Sequence, residues 1–169
     1  MLRPALLITA LAAALVPAAA QARPVDVPAA FGSKLASYAK KSGPVIYLPG
    51  TLDLDIAADT KVYAEGSAGR RSYDIDLAGA RRCGHATACF LAHFGGERGQ
   101  PLGFKTNATL SRGIKAHYQP LSCGGSCSPP WIAWKLNGIR YEIQANVAKP
   151  TKKYFVTLAN VALAHGGRP

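Results

Sequence analysis

WIAWKLNGIRYEIQA, residues 131–145, contains the strongest hairpin signal in the chain. Its Asn137-Gly138 pair suits a two-residue turn in which both central residues take positive φ, a conformation that asparagine and glycine tolerate. The turn fixes which residues oppose each other across the two strands, and it places the apolar pairs on one side. We therefore predict a hairpin with a core-facing stripe of three pairs, Ile132 with Ile143, Trp134 with Tyr141 and Leu136 with Ile139.

Strand-like segments precede this hairpin and predict an antiparallel sheet. Tyr73, Ile75 and Leu77 alternate with two aspartates, which is typical of a strand with one wet face. Glycine-rich turns separate the further candidates, and such close spacing favours antiparallel connections. These candidates are residues 45–48, 61–65, 89–94, 104–110 and 114–118.

Helical patterns occur at both ends of this run of strands. Within residues 27–41 the apolar side chains recur at helical spacing, and a Gly-Pro pair follows as a stop. Thr151 suits the N-cap of a last helix that ends near residue 164. The predicted fold class is α+β, an antiparallel sheet of about six to eight strands with an N-terminal and a C-terminal helix packed on it.

The first residues of the chain predict export. Arg3 precedes an apolar run over residues 5–16, and residues 20–22 (AQA) have the small-x-small pattern that signal peptidase cuts. We therefore predict a signal peptide at residues 1–22 and a single α+β domain at residues 23–169, periplasmic or secreted. No later apolar stretch is long enough to span a bilayer, so the mature chain is predicted to have no transmembrane segment.

Four cysteines in an oxidising compartment favour disulfide bonds. Three pairings are possible for four cysteines. We predict the local pairing because each pair lies in a short loop that contains glycine. The predicted disulfides are Cys83–Cys89 and Cys123–Cys127.

Metal and thiol chemistry is the alternative use of these cysteines. Cys123 and Cys127 have the spacing found in some copper-delivery proteins, where two thiolates suit Cu(I) and His85, His93 or His165 could add a ligand. Such proteins carry the pair on a parallel sheet, which this sequence does not predict. A zinc site would need reduced thiols, and its ligands would be Cys83, His85, Cys89 and His93.

The chain is basic, with a formal net charge of +11. A surface of this kind favours anionic lipid headgroups, cell-wall polymers or an acidic protein partner. Nucleic acid is not an expected partner, because export separates the protein from it and no recognition motif is present. The charge is spread over four doublets, Lys40-Lys41, Arg70-Arg71, Arg81-Arg82 and Lys152-Lys153.

Sequence motifs for catalysis are missing. The chain has no His-Glu-x-x-His and no Walker loop, and its Gly-Ser-Cys-Ser segment lacks the last glycine of a nucleophile elbow. Asp53, Asp55 and Asp59 are interpreted as a polar loop, because the glycine turn and final glutamate of a calcium loop are missing. We therefore predict no catalytic residue, no metal site and no cofactor.

The two cysteine loops, residues 80–90 and 121–130, are the candidate binding surface. Loops on a rigid scaffold commonly carry function, and we expect these two to lie near each other. The side chains predicted to contact a partner are Arg81, Arg82, His85, Ser126 and Trp131.

Several motifs resemble a family of secreted bacterial proteins that is found, for example, in cyanobacteria and has no assigned activity. The resemblance implies a shared fold and transfers no catalytic residue. The tryptophan followed by Asn-Gly-x-x-Tyr also resembles extracytoplasmic domains attached to some anti-sigma factors, which implies a sensing or binding role. The motifs are PVIYLP at 44–49, CGHATACFLAHF at 83–94, SCGGSCSPP at 122–130, Trp134, NGIRY at 137–141 and LAN at 158–160.

Together these patterns predict a non-enzymatic exported protein that acts as a binding module of the bacterial envelope. Its expected partner is an envelope component or a protein, and the basic surface favours an anionic one. Two alternatives remain: a periplasmic thiol or copper-handling protein that uses Cys123 and Cys127, and a periplasmic inhibitor of a hydrolase.

Overall fold

The computed structural model describes residues 22–84 and 86–166. The predicted signal peptide therefore lies, apart from Ala22, outside the described residues. A 3-10 turn, Ser111–Gly113, precedes the seventh strand. The helices and strands, in chain order, are β1 Ala22–Asp26, α1 Val27–Phe31, α2 Ser33–Lys41, β2 Thr51–Asp55, β3 Tyr63–Ala68, β4 Ser72–Ala78, β5 Phe90–Arg98, β6 Ala108–Thr109, β7 Lys115–Gln119, β8 Ser122–Cys123, β9 Cys127–Ser128, β10 Trp131–Leu136, β11 Ile139–Ala145 and α3 Lys152–His165.

One antiparallel sheet of seven strands forms the centre of the fold, in the order β3-β4-β5-β11-β10-β7-β6. Its β10–β11 hairpin has the predicted register, with Trp134 opposite Tyr141. Asn137 and Gly138 take φ values of 52° and 75°, as the two-residue turn requires. The predicted α+β class is confirmed.

The helices pack on one face of this sheet, which we call the core face. Phe31 of α1 lies 6.1 Å from Phe94 of β5, and Phe155 of α3 lies 5.6 Å from Tyr118 of β7, between ring centroids. Phe31, Phe94 and Phe155 are at most 2% exposed. The opposite face, which we call the outer face, carries the polar side chains that alternate with these core residues.

The last helix matches its prediction. Thr151 caps it, with its side-chain oxygen accepting a hydrogen bond from the backbone N–H of Tyr154 at 3.2 Å. The N-terminal helix does not match, because Gly32, at φ 54°, divides it into α1 and α2. A left-handed residue cannot continue a right-handed helix, so the single helix predicted over residues 27–41 is wrong in this respect.

Residues 45–48 form no strand, although their apolar run predicts one. Pro44 and Pro49 flank this segment, and proline cannot donate a hydrogen bond to a strand ladder. Leu48 and Pro49 are buried without such a ladder. Residues 104–110 are also mostly irregular, since only the two residues of β6 pair there.

A two-stranded ribbon of β1 and β2 was not anticipated from the sequence. Leu52 and Leu54 of β2 are fully buried, whereas Asp53 and Asp55 face outwards. These aspartates therefore lie on a strand, which corrects their interpretation as a loop. An isolated bridge between Leu54 and Val147 joins the ribbon to the rest of the domain.

The β3 edge of the sheet is covered. Helix α2 packs against β3, and the Lys34 ammonium donates a hydrogen bond to the Ala64 carbonyl at 2.7 Å. Such coverage blocks pairing with another chain at this edge. Every described helix is too short or too polar to cross a membrane.

Candidate functional site

The two cysteine loops lie at the same end of the sheet. The first joins β4 to β5 and the second joins β7 to β10, and the strand register aligns their attachment points, Ala78 with Phe90 and Gln119 with Trp131. Strands β5 and β10 flank β11, and the register places Trp131 level with His93, three residues along β5 from Phe90. The two loops therefore leave the sheet about 14 Å apart.

Both loops are closed by disulfide bonds. Cys83 is bonded to Cys89 and Cys123 to Cys127, which confirms the predicted local pairing. The second bond closes a small hairpin of β8 and β9 whose tip, with Ser126, is exposed. A Cu(I) site would need both thiolates of this pair, and in this structure their sulfur atoms are bonded to each other.

Arg81 and Arg82 lie in a cavity of about 630 Å³ beside the edge strand β3. We call it the basic pocket. The Arg81 guanidinium lies 5.3 Å from the centre of the Tyr63 ring, a cation–π contact. The residues that define the pocket are Lys34, Tyr38, Tyr63, Ala64, Glu65, Gly66, Arg81 and Arg82.

The backbone of the basic pocket is held in place on both sides. The N–H of Arg82 donates a hydrogen bond to the Glu65 carboxylate. Arg82 has φ 56°, an uncommon conformation for a side chain of its size, and the disulfide of Cys83 follows directly. Strained residues persist only where their surroundings fix them, and they cluster at functional sites.

The charge of the basic pocket is unbalanced. Lys34, Arg81 and Arg82 contribute three cations, and Glu65 contributes one carboxylate. Burial raises the pKa of Tyr38, and the Asp76 and Glu65 carboxylates raise it further, so its hydroxyl stays protonated and can donate a hydrogen bond. The pocket therefore offers cations and a neutral donor to a ligand.

A row of outward-facing side chains crosses the sheet from this pocket to the second loop. Strand register places Glu65, Asp76, His93, Gln144 and Trp131 next to one another on successive strands. Four strand spacings separate the ends of the row, so Glu65 and Trp131 are about 19 Å apart. The predicted binding residues therefore form two groups and not one pocket.

His93 lies in the middle of the row among carboxylates. Its Nδ1 is 2.9 Å from an Asp76 oxygen and 3.6 Å from an Asp74 oxygen. Burial by itself lowers the pKa of His93, but the hydrogen bond to Asp76 and the charges of Asp74, Asp76 and Glu142 outweigh it and raise the pKa. This cluster could not be predicted from the sequence, because its members come from three strands.

Trp131 belongs to an exposed aromatic group at the other end of the row. Its ring lies 5.2 Å from His117 and 5.0 Å from Phe104, which is itself 48% exposed. The His117 Nδ1–H donates to the Lys105 carbonyl at 2.7 Å, which orients the ring. Phe104 thereby anchors the loop before β6 to the outer face, and such small clusters commonly stabilise long loops.

The predicted site residues thus have different environments. Arg81 and Arg82 lie together in the basic pocket, Ser126 and Trp131 lie at the second loop, and His85 lies outside the described residues. Sequence reasoning missed the pocket residues of α2 and β3, Lys34 and Tyr63 among them. They are distant in sequence and meet only because α2 covers the β3 edge.

Comparisons with known proteins supply no relative for this chain. No family model, no curated protein and no solved structure matches it. Charges, cavities and contacts within the described residues are therefore the basis for a functional proposal.

Proposed function

We propose that this protein is an exported, non-enzymatic binding module that holds an anionic component of the bacterial envelope in its basic pocket. The observation that carries the proposal is the convergence of Lys34, Arg81 and Arg82 on one cavity, whose described lining includes a single acidic residue, Glu65. Arginine presents several donors in a planar fork that matches carboxylate and phosphate groups. An anionic ligand would complete this charge balance.

Two tyrosines of the basic pocket favour a ligand that is larger than a simple ion. Tyr63 holds the Arg81 guanidinium from one side, and Tyr38 adds a hydroxyl donor. A cavity of about 630 Å³ is within the size range of small-ligand sites. A carboxylate or phosphate carried by a sugar or lipid headgroup fits this combination of charge and space.

The disulfide bonds support location in an oxidising compartment. Such bonds persist in the periplasm and outside the cell and are rare in the cytosol. The predicted signal peptide at residues 1–22 would deliver the chain there. An envelope ligand is therefore the anion that this protein would meet.

Binding to isolated envelope material tests this function. The protein would be sedimented with purified peptidoglycan and, separately, with vesicles of phosphatidylglycerol or of phosphatidylcholine. We expect salt-sensitive binding to one of the two anionic materials, and the double variant R81Q/R82Q should weaken it about tenfold or more.

The variant R70Q/R71Q is the matched control, because it removes the same charge from a doublet outside the pocket. It should keep most of the binding. Equal losses in the two variants would mean that net charge alone drives binding. That result, or the failure of the unaltered protein to bind either anionic material, contradicts the proposal.

A further inference from the structure

An apolar groove with a volume of about 1090 Å³ lies between α2 and residues 42–50. This volume is slightly above the usual size range of small-ligand sites. The groove shares no lining residue with the basic pocket, although α2 borders both. Its apolar wall includes Leu35, Ala36, Ala39, Val45, Ile46 and Leu48.

Two structural features leave this apolar surface uncovered by the described residues. Helix α2 is amphipathic, yet none of its residues is buried, and Leu35 and Ala39 remain partly exposed. The opposite wall is the apolar segment between two prolines that forms no strand, and its Val45 is 44% exposed. Exposed apolar surface that is concave and continuous typically marks a binding site.

The charged residues beside the groove indicate which head group an apolar ligand would carry. None of the described residues that line it is acidic, whereas Lys40 and His165 both line it. Lys41 adds a further cation in the last turn of α2. The complementary ligand therefore has a long apolar body and an anionic head.

We infer that this groove binds the acyl chain of a single-chain anionic amphiphile, with its carboxylate at Lys40. The chain lies against Leu35, Ala39 and Val45 and is removed from water there. This binding site is additional to the proposed function and does not depend on it. A fatty acid and a neutral alcohol of the same length would differ in affinity, because only the acid pairs with the ammonium group.

Titration with cis-parinaric acid, a fluorescent fatty acid, tests this inference on the full-length protein. We expect saturable binding of one molecule, which the variants Val45→Asp and Ala39→Phe weaken about tenfold or more. The first places a charge on the groove wall and the second fills the groove. Leu121→Asp is the matched control, since Leu121 is 54% exposed on the second cysteine loop, and it should bind normally.

Three results would overturn the inference. The first is no saturable binding by the unaltered protein. The second is equal affinity for cis-parinaryl alcohol together with no effect of Lys40→Glu. The third is a loss of binding in Leu121→Asp as large as that in Ala39→Phe. The variant R81Q/R82Q should bind the fatty acid normally, which separates this site from the basic pocket.

Discussion

Two adjacent glycines in β5 leave room for aromatic side chains on both faces of the sheet. A Cβ on Gly96 would lie 2.3 Å from a Tyr73 ring carbon on the core face. A Cβ on Gly95 would lie 2.8 Å from the His93 Nε2 on the outer face. The rings of Tyr73 and His93 therefore occupy the space that these glycines leave free. The sequence does not reveal the contact between Gly96 and Tyr73, because Tyr73 lies on another strand.

Gly96→Ala should destabilise the protein by about 1–3 kcal/mol, because the Tyr73 ring is 3% exposed and cannot move aside without disturbing its packing. Urea unfolding followed by circular dichroism measures this change. Gly124→Ala is the control, since its Cβ would meet no atom within 4 Å, and its effect should stay within about 0.5 kcal/mol. Equal effects of the two substitutions would contradict this packing.

The raised pKa of His93 predicts a pH-dependent contribution to stability. The imidazolium is stabilised by Asp74, Asp76 and Glu142 in the folded state. Its contribution is fully present below the ordinary histidine pKa of about 6.5 and is lost as pH rises through the raised folded pKa. The difference in unfolding free energy between the unaltered protein and His93→Gln should therefore shrink from acidic to alkaline pH.

Urea unfolding at a series of pH values measures this difference. Asp76→Asn should remove most of the same pH dependence, because it removes the closest carboxylate to the His93 Nδ1. A difference between His93→Gln and the unaltered protein that stays constant or grows with rising pH would contradict the assigned interactions.

At the scale of elements, local sequence signals correctly predict the β10–β11 hairpin and α3, because residues within each element determine it. The Asn137-Gly138 turn and the α3 cap both follow from short motifs and are present as expected. The strand prediction for residues 45–48 is wrong, because an apolar pattern does not show whether a strand has a partner to pair with. The β1–β2 ribbon was missed because its short strands contain proline and aspartate, which are depleted in strands.

Thr151→Ala should cost about 1 kcal/mol of stability, because it removes the side-chain oxygen that accepts the Tyr154 N–H at the start of α3. Thr157→Ala is the matched control in the same helix, since Thr157 is exposed. Alanine has the higher helix propensity, so this control should be neutral or slightly stabilising. Chemical unfolding of both variants measures these changes in stability. Similar losses of stability in the two variants would contradict the capping role of Thr151.

At the scale of the whole molecule, the fold brings together acidic residues that are scattered along the sequence. Nine acidic residues occur in the chain, and five of them lie on the outer face of one sheet. These five acidic residues are Glu65, Asp74, Asp76, Glu97 and Glu142.

The sequence indicates that the two cysteine loops are candidate binding loops. It does not show that α2 brings Lys34 to Arg81 and Arg82, because this contact depends on the packing of α2 against the sheet.

The two disulfides should have similar effects on stability and different effects on ligand binding. Each closes a short loop and is expected to contribute about 2 kcal/mol. C83A/C89A should also weaken binding to the anionic envelope material, because Cys83 directly follows Arg82. C123A/C127A should leave that binding unchanged, and sedimentation of both variants at a temperature where both are folded measures the contrast. Equal losses would contradict the location of the pocket.

The most direct test of the basic pocket is an amide NMR titration of the folded protein with methyl phosphate, a small phosphate ester. We expect the chemical-shift changes to concentrate at Lys34, Arg81 and Arg82 and at their neighbours on β3. Changes spread evenly over the other basic doublets, or no saturable change at any amide, would contradict it.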